Sequence, residues 1–77
     1  MDFGGRLKKL RRRRGWKQRD LAERLSVAPT TVANYEQGTR FPDARLLTAI
    51  ADSFDVSLDY LFGRTDDARS AAESDGA

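Results

Sequence analysis

The segment from Gln18 to Gly38 constrains the fold of this chain most, because its pattern is that of two short helices joined by a tight turn. The first helix is predicted over residues 18–25 and the second over residues 29–37. Pro29 favours the start of the second of these helices, because the N–H that proline lacks would be unpaired at the first helical position. Apolar or small side chains recur at the spacing of helix faces that pack together, at Leu21, Ala22, Leu25, Val27, Val32 and Tyr35.

The outward side of the second helix carries Thr30, Thr31 and Asn34, short polar residues that suit hydrogen bonding to base edges. Two helices that cross steeply through a tight turn form a helix-turn-helix, whose second helix enters the major groove of DNA. We therefore expect double-stranded DNA as the partner. For Thr30 and Thr31 the alternative is ordinary helix-start chemistry, and for Asn34 it is a solvated surface side chain.

Three further helices are predicted around this segment, so the expected fold class is all-α, a compact five-helix domain over residues 1–64. Asp2 and Asp43 are suitable N-caps for the helices that start at residues 3 and 44. The three added helices are predicted over residues 3–14, 44–54 and 58–62.

The two ends of the chain are expected to be less stable. Gly4 and Gly5 are predicted to weaken the first turn by about 0.5–1 kcal/mol each relative to alanine. Residues 65–77 are small, polar and acidic. A segment without large apolar side chains cannot bury itself, so a disordered polar tail is expected there.

Charge and composition narrow the function classes. The net charge is +2, but residues 1–45 carry +7 and residues 46–77 carry −5. A polyanion is expected to meet the basic half, and the alternative is a solvated basic face. Cysteine and histidine are absent, so neither a metal, a cofactor nor enzymatic activity is expected. No apolar run is long enough to span a membrane and no signal peptide is visible, so a cytoplasmic protein is expected.

Further motifs accompany the helix-turn-helix pattern in a fixed order. They are Arg6-Leu7-x-x-Leu10-Arg11, Gly15-Trp16-Lys17-Gln18, Tyr35-Glu36-Gln37-Gly38, Ile50-Ala51 and the run from Phe54 to Leu61. With them the chain resembles the Cro/repressor-type (XRE-like) helix-turn-helix family over residues 3–63. The resemblance implies a lambda-repressor-like fold and a sequence-specific DNA-binding transcriptional regulator, with repression as the expected mode.

The resemblance also implies roles for individual residues. Asn34 is expected to pair with adenine, and Pro29 to offer apolar contact to a thymine methyl. Arg11 is expected to form a partly buried ion pair with Glu36, the alternative being two independent surface charges. The implied base-reading set is Thr30, Thr31, Asn34 and Pro29, and the implied phosphate-binding set is Lys17, Gln18, Gln37, Thr39, Arg40 and Arg11.

The chain departs from the family pattern in and beside the turn. The family usually has glycine where this chain has Ser26, so a positive φ there is expected to strain the serine by about 1 kcal/mol. Ala28 stands where a side-chain N-cap is usual, and an alanine there typically costs about 0.5–2 kcal/mol. Pro29 stands where a long polar base reader is common and has no hydrogen-bond donor.

Apolar residues near the C-terminal end exceed what one small core needs, and the family often forms a dimer in this region. The predicted dimer interface comprises Leu46, Leu58, Tyr60 and Phe62. A homodimer, at least on DNA, would place two reading helices about 34 Å apart on a palindromic operator. The alternative function is an antitoxin or adaptor, a protein-interaction module on the same fold.

Two other features can be interpreted either as structural or as functional. The run from Arg11 to Arg14 spreads around its helix, so Arg12 and Arg13 are expected to be mostly solvated, and a localisation signal or RNA patch is a weak alternative. Trp16 and Tyr35 are predicted to pack in the core rather than to stack on bases.

Overall fold

The computed structural model describes residues 2–67, and within them it contains five α-helices and no strand. The all-α prediction is confirmed, with every helix boundary within one residue of the expected one. Residues 68–77, most of the predicted tail, lie outside the described residues, and within residues 2–67 no helix is long and apolar enough to cross a membrane. The helices are α1 (Phe3–Arg13), α2 (Gln18–Leu25), α3 (Pro29–Gln37), α4 (Ala44–Phe54) and α5 (Leu58–Leu61).

Short side chains cap most of the helices. The predicted caps of α1 and α4 are confirmed, since Asp2 Oδ1 accepts from the Gly5 N–H at 2.7 Å and Asp43 Oδ1 accepts from the Leu46 N–H at 2.9 Å. Ser57 caps α5 in the same way. α3 has no side-chain cap, because Ala28 occupies its N-cap position. The first turn of α3 therefore keeps main-chain donors free of side-chain partners.

Each helix contributes one fully buried side chain to a single core. These residues are Leu7, Leu21, Val32, Ile50 and Leu61, each with no solvent-accessible surface. Tyr35 is also buried, and Trp16 packs against the core with its ring 5.2 Å from that of Phe54. The predicted packing roles of Trp16 and Tyr35 are confirmed.

The turn between α2 and α3 contains a strained residue. Ser26 ends α2 in the left-handed region, with φ of 58°. A side chain with a β-carbon is disfavoured there by roughly 1–2 kcal/mol, so the strain expected of serine at this position is present. Asp55, after α4, has a similar φ of 54°.

Gly4 has a structural role that the sequence did not reveal. It is buried where α1 crosses the end of α3, and a β-carbon there would overlap the main-chain oxygen of Glu36 and lie 2.8 Å from that of Tyr35. Because both obstacles are backbone, neither moves aside easily. Gly4 therefore has a packing role in addition to its predicted low helix propensity, since its missing side chain lets α1 approach α3.

Candidate nucleic-acid interface

The outward face of α3 is short and mostly polar. Thr30, Ala33, Asn34 and Gln37 share this face because they follow the i, i+3, i+4, i+7 spacing of a helix. Thr30 and Gln37 are exposed, and Ala33 and Asn34 are half-buried. Val32 and Tyr35 on the opposite side are buried. We call these four residues the reading face. The sequence did not predict Ala33 on this face, nor Gln37 on the same face as Thr30, because Gln37 was predicted to bind phosphate alone.

The other two predicted base readers lie at the edge of this face. Pro29 is exposed in the first turn of α3, next to the uncapped N-terminus. Thr31 is half-buried and lies between the reading face and the core. A small apolar ring at the tip therefore stands beside the polar groups of the reading face.

Asn34 is held in place by the residue that follows the C-terminal glycine of α3. The Thr39 hydroxyl lies 3.1 Å from Asn34 Oδ1 and 3.3 Å from the Asn34 main-chain oxygen. The Thr39 N–H also donates to that main-chain oxygen, at 3.0 Å. Within residues 2–67, the amide nitrogen of Asn34 has no hydrogen-bond partner, so it remains available as a donor. Thr39, predicted to bind phosphate, here braces Asn34.

A largely buried ion pair fixes the end of α3 to α1. Arg11 Nε donates to Glu36 Oε2 at 2.7 Å, and Arg11 Nη2 donates to Glu36 Oε1 at 3.2 Å. The third guanidinium nitrogen donates to the main-chain oxygen of Trp16 at 2.7 Å. The two side chains are only 11% and 4% exposed, so the predicted Arg11–Glu36 pair is confirmed as a largely buried one.

Gln18 extends this ion pair to a third helix. Its amide nitrogen donates to Glu36 Oε1 at 3.1 Å, which joins the N-terminus of α2 to the end of α3. α1, α2 and α3 are thereby connected through one carboxylate. Gln18 and Arg11, both predicted to bind phosphate, use side-chain donors inside the protein, and Arg11 is only 9% exposed.

The remaining predicted phosphate ligands are exposed around α3. Lys17 precedes the first turn of α2, Gln37 ends α3, and Arg40 follows in the next loop. Within residues 2–67, neither Lys17 nor Arg40 forms an ion pair, so both cations are free to meet an anion. The Lys17 N–H is satisfied by Asp20 Oδ2 at 2.7 Å, which fixes the start of α2.

Tyr35 is the titratable group of this region whose pKa is shifted by its surroundings. Burial raises the pKa of its phenol above the ordinary value of 10.0, and the nearby Asp43 carboxylate raises that pKa further, while Arg40 opposes them. The side chain is neutral at physiological pH. Within residues 2–67, no three acidic side chains lie close enough together to hold a metal ion.

Two of the four predicted dimer residues do not lie on a free surface. Tyr60 is 8% exposed and is covered by the Arg6 guanidinium, whose carbon lies 4.6 Å from the ring centroid. Leu46 is half-buried against the core. Leu58 and Phe62 are exposed, at 40% and 43%. The assignment of Tyr60 as surplus apolar surface was wrong because α5 turns its ring inward beneath α1.

A row of three aromatic rings lies near these residues, and of the three Phe3 is half-buried against the core. Phe41, in the loop before α4, is 60% exposed, and its ring centroid lies 4.9 Å from that of Phe3 and 6.3 Å from that of Phe62. We call Phe3, Phe41 and Phe62 the aromatic row. The sequence analysis missed Phe41 because it belongs to no helix and so to no periodic pattern. A lone aromatic in a polar loop was the available signal.

A family model described as helix-turn-helix matches residues 7–61, which include the ion pair, the turn and the whole reading face. This chain belongs to the XRE-type helix-turn-helix family. The chain is 38% identical over 64 residues to the HTH-type transcriptional regulator ImmR of Bacillus subtilis, a match that covers 83% of this chain and 50% of ImmR. It spans about half the length of the curated relatives that it matches.

Solved structures share the fold. A transcriptional regulator from Listeria innocua superposes with a TM-score of 0.78 at 31% identity, over 97% of this chain and 70% of that one. SinR, the master regulator for biofilm formation, solved in complex with DNA, gives a TM-score of 0.70 at 28% identity, over 77% of this chain and 95% of that one. The expected lambda-repressor-like architecture is confirmed.

Proposed function

We propose that this chain is the DNA-binding domain of a sequence-specific transcriptional regulator that acts as a repressor in the cytoplasm. The observation that carries the proposal is the outward, mostly polar reading face of α3, whose opposite side is fixed by the Arg11–Glu36 pair. Such a helix needs rigid support, because base recognition depends on placing a few short side chains accurately. Its relative ImmR is named as a transcriptional regulator and SinR has been solved in complex with DNA, which supports the same function.

In this mechanism the reading face enters the major groove and Asn34 is the principal base reader. Its free amide nitrogen donates to adenine N7, and Oδ1 keeps a second lone pair for adenine N6 while it accepts from Thr39. Gln37 has the same pair of groups one turn further along. Thr30 meets the neighbouring base or phosphate, and Pro29 contacts a thymine methyl.

Lys17 and Arg40 hold the phosphates on either side of the groove, together with the N-terminus of α2 near Gln18. These contacts position α3 without reading sequence. Arg11 contributes by fixing Glu36, since its guanidinium is almost wholly buried. Occupancy of the site would then exclude polymerase from a promoter that overlaps it.

We further propose that two copies bind a palindromic operator, with the aromatic row and Leu58 as the contact between them. Phe41 is the most exposed of the large apolar side chains in the described chain, and its loop directly follows the reading helix. An exposed aromatic surface of this kind is typical of an interface core. An adaptor or antitoxin would use the same surface for a different protein.

The decisive experiment is selection of binding sites from a random duplex library, followed by affinity measurements with Asn34→Ala. The substitution is expected to weaken the selected site by about 1–3 kcal/mol while leaving random-sequence binding unchanged. Thr48→Ala is the control, since that exposed hydroxyl bonds only within α4. A selection without enriched sequence, or equal losses on selected and random duplexes, would contradict the proposed role of Asn34.

The dimer is tested separately by sedimentation of the protein on the selected duplex. Two copies per duplex are expected, with cooperative binding that Phe41→Ser abolishes and Phe41→Leu retains. One copy per duplex at saturation would refute the dimer while leaving base reading by a monomer intact.

A further inference from the structure

The outward side of α1 carries a dense and unexplained positive charge. Lys8, Lys9, Arg12 and Arg13 are all exposed, and we call them the α1 basic face. At about 100° of rotation per residue they fall within an arc of about 140°. Leu7, Leu10 and Arg11 occupy the opposite, buried side of the helix.

Within residues 2–67, none of these four side chains forms a hydrogen bond, an ion pair or a ring contact. α1 contains no acidic residue, and within residues 2–67 none of the four lies within ion-pair distance of a carboxylate. Other arginines nearby do have structural roles, because Arg11 pairs with Glu36 and Arg14 donates to the Phe54 main-chain oxygen at 3.0 Å. Like charges four residues apart on a helix are also mildly destabilising. Arg12 and Arg13 gain from their position in the last turn of α1, but no side-chain contact within residues 2–67 accounts for the clustering of all four cations.

The composition of this face indicates the chemistry of its partner. Among its residues there is no exposed apolar side chain, whereas a protein interface is normally built around aromatic or aliphatic anchors. The four cations extend over about 7.5 Å of helix axis. A DNA duplex presents one negative charge per about 1.7 Å of its axis, or roughly four charges over that length. A phosphate backbone matches this charge density and needs no apolar anchor.

We propose that the α1 basic face binds the phosphate backbone of duplex DNA without regard to sequence, as a second contact surface besides α3. It is turned away from α3, because α1 meets α3 through Gly4 and Arg11 on its buried side. The surface gives the protein affinity for DNA of any sequence, which supports search along the duplex before the reading face engages.

The test uses a background from which the α3-side phosphate ligands have been removed, Lys17→Gln with Arg40→Gln. In that background, binding to a random-sequence duplex is measured by fluorescence anisotropy at several salt concentrations. Adding Lys9→Gln and Arg13→Gln is expected to weaken binding on the order of tenfold and to lower the salt slope by about 1.8, two contacts at about 0.9 each. Lys9 and Arg13 are chosen because they lie on the side of the face further from α3.

The matched control removes two exposed arginines elsewhere, Arg45→Gln and Arg64→Gln, in the same background; Arg64 has only a long, solvent-exposed contact with Asp59, at 4.0 Å. Its slope and affinity are expected to change little. Equal losses in the two variants would overturn the proposal, because charge alone would then explain binding. A second outcome would also overturn the proposal. If polyglutamate binds as tightly as random duplex and Lys9→Gln with Arg13→Gln abolishes that binding, the partner is an acidic protein. The outcome does not depend on base reading, since random duplex is the probe.

Discussion

The Arg11–Glu36 pair makes a strong prediction, because loss of one partner leaves the other charge buried. Removing one member of a buried ion pair typically destabilises a protein by about 3–5 kcal/mol. We take about 3 kcal/mol for Arg11→Ala, since Gln18 still donates to the remaining Glu36 carboxylate. For a domain of this size, 1 kcal/mol moves Tm by about 4–8 °C, so a fall of about 12–24 °C is expected.

Thermal unfolding followed by far-UV circular dichroism is the assay, and Arg13→Ala is the matched control. Arg13 lies on the same helix but is exposed and unpaired within residues 2–67, so a change of no more than about 0.5 kcal/mol is expected. Arg11→Met combined with Glu36→Met should recover much of the loss, because no unpaired charge remains buried. Equal Tm values for Arg11→Ala and Arg13→Ala would refute the reasoning.

Three further perturbations test other features of the fold. Gly4→Ala is expected to lower Tm, because the added methyl group would push α1 away from α3. The control Gly5→Ala, one position along, should stabilise the helix by up to about 1 kcal/mol through its higher helix propensity. A rise in Tm for both variants would contradict the close approach of α1 to α3. Ser26→Gly should raise Tm by relieving about 1 kcal/mol of left-handed strain, and an unchanged or lower Tm would count against that strain. Stability should fall as pH rises above about 10.0 towards the raised pKa of Tyr35, because the folded state disfavours the phenolate. Tyr35→Phe should flatten this alkaline loss, and identical alkaline profiles for the two proteins would exclude Tyr35 as its source.

Much of the architecture follows from local sequence signals. The bounds of α2 and α3 were predictable because apolar spacing, Pro29 and Gly38 each determine the conformation of residues close to them in sequence. The outward position of Asn34 follows from the same helical period. The Arg11–Glu36 pair was predictable only through the resemblance to a family, since the two residues are 25 positions apart.

The features that escaped prediction depend on how helices pack against one another. Nothing local distinguishes Gly4 from Gly5, and only the crossing of α1 over α3 makes one of them indispensable. Tyr60 was misplaced because a helix as short as α5 shows too little periodicity to reveal its buried side. The bracing of Asn34 by Thr39 similarly depends on the path of the chain after Gly38.

The two-sided construction of α3 has an evolutionary consequence. Its inward residues, Val32 and Tyr35, and the buried carboxylate of Glu36 carry the attachment to the rest of the molecule. The side chains of Thr30 and Gln37 contribute little to that attachment, since both are exposed. Under the proposed base reading, mutations on this side would change which operator is recognised at little cost in stability. A regulator built in this way can diverge to new targets after gene duplication without first acquiring compensating core mutations.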